Sequence, residues 1–236
     1  MMSSNKKNKP KLIIITGPTA SGKTSLAVKL ASNINGEIIS ADSRQIYRGM
    51  DIGTGKDLDE YTLNDKKVNY HLIDILNPDQ DYSVYNFQKD FIDIYKKIEK
   101  NNATPIICGG TGLYIESILL DYDLSKKPPP DKELRDKLKN YDKKELLNII
   151  KSLAPLEKIE EMLLSTKKQI IRNIEILKSD KSQIGVSFEP MKDDAIVIAL
   201  DINRELLREK IKKRLIERVN NGMIQEVEKL LKGGLP

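Results

Sequence analysis

The run Gly17-Pro-Thr-Ala-Ser-Gly22-Lys23-Thr24 constrains this chain more than any other feature. It follows the apolar stretch Leu12–Thr16 and precedes a helical pattern at residues 25–31. The pattern G-x-x-x-x-G-K-[ST] works only where a strand delivers the loop and a helix opens behind it. Successive backbone N–H groups then curl around phosphate oxygens, and the helix N-terminus adds positive potential. Gly17 and Gly22 permit the backbone angles and the close approach, while Pro18, Thr19, Ala20 and Ser21 complete the curl. Lys23 reaches the outer phosphate, and Thr24 holds Mg²⁺ or a phosphate oxygen. The loop specifies a phosphate or pyrophosphate; it does not by itself specify ATP.

The rest of the chain supplies the frame such a loop needs. Short apolar runs at 37–40, 71–75, 105–108 and 195–200 read as strands, and helical periodicity appears at 87–100, 113–120 and 203–219. Strands alternating with helices predict an α/β fold, a P-loop parallel sheet with helices on both faces. Residues 123–193 differ. They open on Lys126-Lys-Pro-Pro-Pro130 and read as helices at 133–138, Lys143–Leu153, after Pro155 and at 169–178, with one weak strand signal at 184–188. This predicts a small helical insertion, 123–193, within a core formed by 1–122 and 194–236.

Several classes are excluded early. The longest apolar runs are far below the roughly 20 residues that span a bilayer, and the N-terminus carries no signal-peptide pattern. One cysteine, Cys108, rules out an intramolecular disulfide framework, and one histidine, His71, rules out paired-histidine metal motifs. A cytoplasmic protein with no membrane partner is expected. The net charge is +5, with lysine outnumbering arginine 32 to 8. Residues 12–124 carry 11 basic and 16 acidic side chains, residues 125–193 carry 16 and 12, and the stretch 204–218 carries 7 and 3. An acidic centre flanked by basic segments fits a polyanionic partner, although solvated helix faces give the same count.

The candidate chemistry gathers at strand ends, which share one edge in a parallel sheet. Thr24, Asp42, Thr111 and Asp201 are expected there. From spacing alone, Asp42 is equally a functional carboxylate or the N-cap of a following helix. Leu72-Ile-Asp74 and Ile196–Asp201 each resemble the strand-then-Asp pattern of Mg²⁺ sites, weakly. The helix after Asp201 presents Arg204, Arg208 and Arg214, as small P-loop kinases do when aiming an arginine at a transferred phosphate. His71 and Cys108 read as structural, and Tyr82, Tyr85, Phe87 and Phe91 as helix packing.

Five blocks in order carry a resemblance: GPTASGKTSLA, ADSRQIYRGMDIGTGK, HLID, GGTGLYIESIL, and Ile211-Lys-Lys-Arg214-Leu with Gly222-Met-Ile-Gln-Glu-Val. Over residues 11–234 the chain resembles bacterial tRNA dimethylallyltransferases. A P-loop kinase, the alternative, does not account for the block around Asp42. The resemblance implies transfer of a dimethylallyl group from dimethylallyl diphosphate to the N6 amine of the adenosine 3′ of a tRNA anticodon. It implies that Gly17–Thr24 holds diphosphate, that Asp42 is the general base, and that Thr24 and Arg214 steady the leaving diphosphate, with Mg²⁺ at Thr24. It implies tRNA contacts at Asp42, Ser43, Arg44, Gln45, Thr111, Arg135, Lys168, Gln169, Ile170, Ile171 and Arg172, in a protein expected to act as a monomer. The chain departs from the family pattern at Gly55, where alanine is usual, and at Gln169, where arginine is usual. Family members also continue beyond the position of Pro236, so a further C-terminal part of the core is expected.

Overall fold

Alternation of buried side chains along the apolar runs builds the centre of this protein. The structure is a computed structural model, and it describes residues 11–120, 128, 130–179 and 191–235. The chain divides into two units, one formed by residues 1–122 and 190–236 and the other by residues 123–189.

In the first unit, strands β1 (Leu12–Thr16), β2 (Gly36–Ser40), β5 (Tyr70–His71), β6 (Thr104–Cys108) and β7 (Ala195–Ala199) form one sheet in the order β5-β2-β6-β1-β7. Every pairing in it is parallel. The register sets Ile13 beside Ile106 and Ile38 beside Ile106, and these side chains share one face with Ala27, Val28 and Ala31 of helix α1 (Lys23–Ile34). Leu12, Ile14, Ile39 and Ile107 alternate with them and are fully buried too. Helix α2 (Val84–Lys100) packs on β6 and β2 and meets helix α3 (Gly112–Leu119). Phe87 stacks on Tyr114 of α3 with ring centroids 4.3 Å apart. A strand buried on both faces loses alternation and reads as a continuous apolar run, as LIIIT does. Truncating one such isoleucine to alanine costs about 2–5 kcal/mol.

Local chemistry closes the elements. Ser83 and Asn86 form a capping box at the start of α2. Asn203 accepts from the Glu205 and Leu206 amides at the start of helix α8 (Arg204–Asn220). Two short elements give no sequence signal, the hairpin β3 (Thr62–Leu63) with β4 (Lys66–Lys67), and helix α9 (Met223–Lys232) is read only as part of a motif block.

The strand expected at 71–75 is a correction. It stops at His71, because Leu72 and Asp74 adopt left-handed backbone angles, φ 61° and 56°. The Asp74 and Ile75 amides instead donate to the Gln45 and Ile46 carbonyls, which ties this segment to the loop after β2. His71 is structural: its Nε2 lies 2.7 Å from Glu37 Oε2.

The second unit is helical over its described residues: α4 (Lys132–Leu138), α5 (Lys143–Leu153), α6 (Leu156–Glu160) and α7 (Lys167–Lys178). Leu138, Leu146, Ile150, Ile170 and Ile174 form its core. Residues 184–188, read as a weak strand signal, lie outside the described residues. Among the described residues, no helix is long and apolar enough to cross a membrane.

Candidate active site

The order of the strands decides which loops meet. β6 lies between β1 and β2, so the loops leaving all three strands at their C-terminal ends are neighbours. Backbone hydrogen bonds tie them together. Ala41 N donates to Cys108 O (2.9 Å), Thr111 N to Ala41 O (3.0 Å) and Gly109 N to Ile15 O (3.2 Å). A side chain at Gly109 would overlap the Ala41 backbone, so this approach requires glycine.

The P-loop wraps the end of β1, with Ala20 in a left-handed conformation and Gly22 preceding α1. The Ser21 hydroxyl is buried without a hydrogen-bond partner, and Lys23 Nζ donates to Pro18 O at 2.7 Å. Burial pulls the Lys23 ammonium below its ordinary proton affinity, with Arg214 adding to the effect against Asp42. An orphaned hydroxyl and a partly desolvated ammonium on one loop are unfavourable alone, and an anion placed between them would satisfy both. Two adjoining cavities open here. One, of about 480 Å³, is lined by Ser21, Lys23, Thr24, Asp57, Arg214 and Arg218 among others. The other, of about 300 Å³, brings Asp42, Gln45 and Gly55 to the same Lys23, Thr24, Arg214 and Arg218.

Asp42 sits at the end of β2, and no helix follows it. The N-cap alternative therefore fails. Its Oδ1 accepts from the Arg44 amide at 2.9 Å, an Asx turn that fixes the carboxylate by one oxygen. The Ser43 amide donates to Thr111 Oγ1 (3.0 Å), so Thr111 positions this turn from the loop between β6 and α3. Gln45 Nε2 donates to Gly55 O at 3.0 Å, and Ser40 Oγ holds its other end. Arg44 is exposed and lines the smaller cavity. Burial pushes the Cys108 thiol up to about 12, leaving it un-ionised and inert.

The loop from Asp42 to Asp57 is held from two distant directions, and sequence reasoning missed both. Lys56 is 1% exposed; its ammonium donates to Tyr47 O (2.7 Å), Asp51 Oδ1 (2.6 Å) and Asp74 Oδ1. Glu226 of α9 accepts from the amides of Asp51, Ile52 and Gly53 at 2.7–2.9 Å. Of the α8 arginines, Arg204 and Arg208 are exposed, whereas Arg214 donates to the Asp57 carboxylate and to Gly55 O. Arg218 also faces the site, and nothing in the sequence marks it beyond its spacing of four from Arg214.

Other expectations are corrected. Asp201 is exposed and lines neither cavity. Asp74 is engaged by Lys56, so neither strand-then-Asp pattern supplies a metal carboxylate. Among the described residues no cluster of three His, Cys, Asp or Glu side chains forms. Thr24 remains, and one hydroxyl fits a magnesium ion held mainly by diphosphate oxygens and water.

In the helical unit, Ile170 has no exposed surface and belongs to the core; a contact with RNA does not fit it, because its side chain is consumed by packing. Ile171 packs beside it. Gln169 caps α7 with Thr166. Arg135 and Arg172 both donate to the buried carboxylate of Glu175, and Arg172 also to Pro128 O. Both keep part of their surface, 37% and 27%. Lys168 is exposed.

Comparison with known proteins places this geometry. Residues 45–236 match the family model described as IPP transferase, and residues 10–72 match one described as isopentenyl transferase. The chain is 46% identical over 224 residues to a protein named tRNA dimethylallyltransferase 2 from Bacteroides fragilis, covering 95% of this chain and 72% of that protein. It is 47% identical over 223 residues to tRNA dimethylallyltransferase 1 of Azobacteroides pseudotrichonymphae, covering 93% and 71%. A crystal structure of the full-length tRNA isopentenylpyrophosphate transferase from Bacillus halodurans superposes with a TM-score of 0.64 at 33% identity, over 96% of this chain and 71% of that one. A eukaryotic dimethylallyltransferase acting on tRNA shares the fold, with a TM-score of 0.72 at 22% identity, over 94% and 56%.

Proposed function

The chain belongs to the IPP transferase family, and on that premise we propose that it transfers a dimethylallyl group from dimethylallyl diphosphate to the N6 amine of the adenosine 3′ of a tRNA anticodon. One observation carries the reading: the phosphate-binding loop and Asp42 line one cavity, with Arg214 beside both. The P-loop kinase reading leaves the block from Asp42 to Lys56 without an explanation.

The chemistry follows from the residues. The exocyclic amine of adenine is a poor nucleophile, because its lone pair is delocalised into the ring. Asp42 accepts the amine proton as the C–N bond forms, the ordinary work of a general base. The C–O bond to the diphosphate breaks, and its electron pair stays on the leaving oxygen. Lys23, Arg214, the Ser21 hydroxyl and the loop amides stabilise that growing charge. Mg²⁺, when bound, supplies further charge neutralisation, with Thr24 as its protein ligand. The target base leaves its stack to reach the cavity, as base-modifying enzymes require. Arg44 and Gln45 line that cavity, and Ser43 and Thr111 join them as tRNA contacts of the core. Arg135, Lys168, Gln169, Ile171 and Arg172 serve the anticodon stem–loop from the helical unit, where unpaired bases can be read by splaying them out. With tRNA as substrate, the protein works in the cytoplasm, and as a monomer.

The test is direct. Purified protein should consume dimethylallyl diphosphate only with an unmodified anticodon stem–loop, releasing pyrophosphate and adding one dimethylallyl group to one adenosine. ATP hydrolysis without RNA, and no prenyl transfer, would restore the kinase reading.

A further inference from the structure

Arg214 and Arg218 stand one helical turn apart on α8 and both line both cavities. Arg218 is the more deeply placed, its side chain 18% exposed against 32% for Arg214. Its polar contacts are poor for so much burial. Nη1 reaches Gly53 O at 3.4 Å, Nη2 is 4.0 Å from Asp57 Oδ2, and Nε is buried with no hydrogen-bond partner. A desolvated N–H without an acceptor is costly, so a guanidinium held this way needs another anion.

The backbone opposite makes room for it. A Cβ at residue 55 would overlap Arg218 Nη2 and Cζ and lie 2.7 Å from Arg214 Nη2. Gly55 also has φ +64°, a backbone conformation that L side chains rarely adopt, and a Cβ there would displace the guanidinium ends of both arginines. The guanidinium of Arg218 fills the volume that any side chain at 55 would take. The charge around it is also unbalanced. The larger cavity gathers five cations, Lys23, Lys210, Lys213, Arg214 and Arg218, against three carboxylates. One of these, Asp57, is shared by the arginine pair.

We propose that Arg218 is a second diphosphate-binding guanidinium, admitted to the site by the missing side chain at Gly55. The proposal rests on the reading of Gly17–Thr24 as a diphosphate cradle. Two forks side by side bind the oxygens of two linked phosphoryl groups, whereas one fork and one ammonium leave part of that surface uncovered. In the transfer, Arg218 shares with Arg214 and Lys23 the charge that arrives on the leaving diphosphate. Asp57 holds the pair together before the ligand arrives.

Inorganic pyrophosphate is the probe, its binding measured by calorimetry on the 236-residue chain, with thermal midpoints recorded in parallel. Arg218→Met should weaken pyrophosphate binding about 10–100-fold, the worth of a charged hydrogen bond, and Arg218→Lys should keep part of the affinity. Gly55→Ala should weaken binding by pushing the guanidinium out. The decisive arm is the double variant, Gly55→Ala with Arg218→Met. It should bind no more weakly than Arg218→Met alone, because the strain of alanine at φ +64° is then decoupled from an absent arginine. If Arg218→Met and Arg218→Lys both bind pyrophosphate as wild type does while Lys23→Met does not, Arg218 is a structural clasp and the proposal falls while the cradle stands. Additive losses in the double variant also overturn it. If the wild-type chain binds no pyrophosphate, the cradle reading fails and takes the proposal with it.

Discussion

The site joins two loops built in opposite ways. The P-loop, Gly17–Thr24, is made from its own backbone, between the end of β1 and the start of α1. The loop from Asp42 to Asp57 is longer and has no regular structure up to the helical turn at Leu58–Tyr61. It is held in place by Lys56 with Asp51 and Asp74 on one side, and by Glu226 and Arg214 on the other. A self-contained loop can be recognised as a motif. A loop held by residues up to 175 positions away has its geometry written in several places at once. The difference also separates two kinds of failure: damage to the first removes ligand affinity, and damage to the second removes alignment.

Three experiments set the two loops against each other, and a fourth tests a third region. The largest effect is expected from Asp42→Asn, which keeps the size and the acceptor for the Arg44 amide but cannot take a proton. Turnover should fall roughly 10²–10⁴-fold with pyrophosphate and tRNA affinity nearly unchanged. A rate close to wild type would reduce Asp42 to its turn-forming role. Next comes Lys56→Met compared with Lys23→Met. Removing the buried Lys56 strands Asp51 and Asp74, at a cost of about 3–5 kcal/mol for a fully buried pair and less here, where both carboxylates are partly exposed. Urea denaturation should show this for Lys56→Met and almost no change for Lys23→Met, while pyrophosphate binding should reverse the order. Equal stability of the two variants would erase the contrast.

A smaller effect is expected from Glu226→Gln, which exchanges a carboxylate for a neutral amide at three backbone donors and costs about 1–3 kcal/mol of local order. Steady-state kinetics should show a lower kcat at a nearly constant KM for dimethylallyl diphosphate. A raised KM alone would mean that the clamp serves ligand binding instead.

The smallest concerns a third kind of region, the helical unit. Burial works to raise the Glu175 carboxyl, yet hydrogen bonds from Arg135 and Arg172 outweigh it and hold the group below its ordinary value of 4.5. The folded state therefore binds fewer protons than the unfolded one between that depressed value and 4.5. The contribution of this cluster is complete above pH 4.5 and lost as pH falls through the depressed folded value. Hydrogen exchange of the α4 and α7 amides should accelerate below that pH in wild type and show a flatter profile in Glu175→Gln. Parallel profiles would place the acid sensitivity elsewhere.

Legibility tracked the range of the interactions. The strands LIIIT and PIIC were readable because burial on both faces leaves a continuous apolar run, and helix α5 because Asp142 and Glu145 cap it within four residues. The Asp42 segment was recognisable as a block, yet its residues could not be ranked. Lys56 closes that block without a role the sequence can assign, and its burial beside Asp74 supplies one. The family resemblance places Ile170 among the tRNA contacts of Lys168–Arg172, whereas the helix turns it inward.

By itself the sequence determined the phosphate loop, the alternating α/β order and the helical character of residues 133–178, since backbone nests, periodicity and caps are local. Tertiary structure decided the rest. Placing β6 between β1 and β2 brought Thr24 and Asp42 to one cavity and left Asp201 outside it. The path of α8 past the Asp42 loop set Arg218 against the vacant side of Gly55 and left Arg204 and Arg208 in solvent. Residues of one type at similar spacing differ in role because desolvation and counter-charge depend on what the fold packs around each, and no local pattern carries that information.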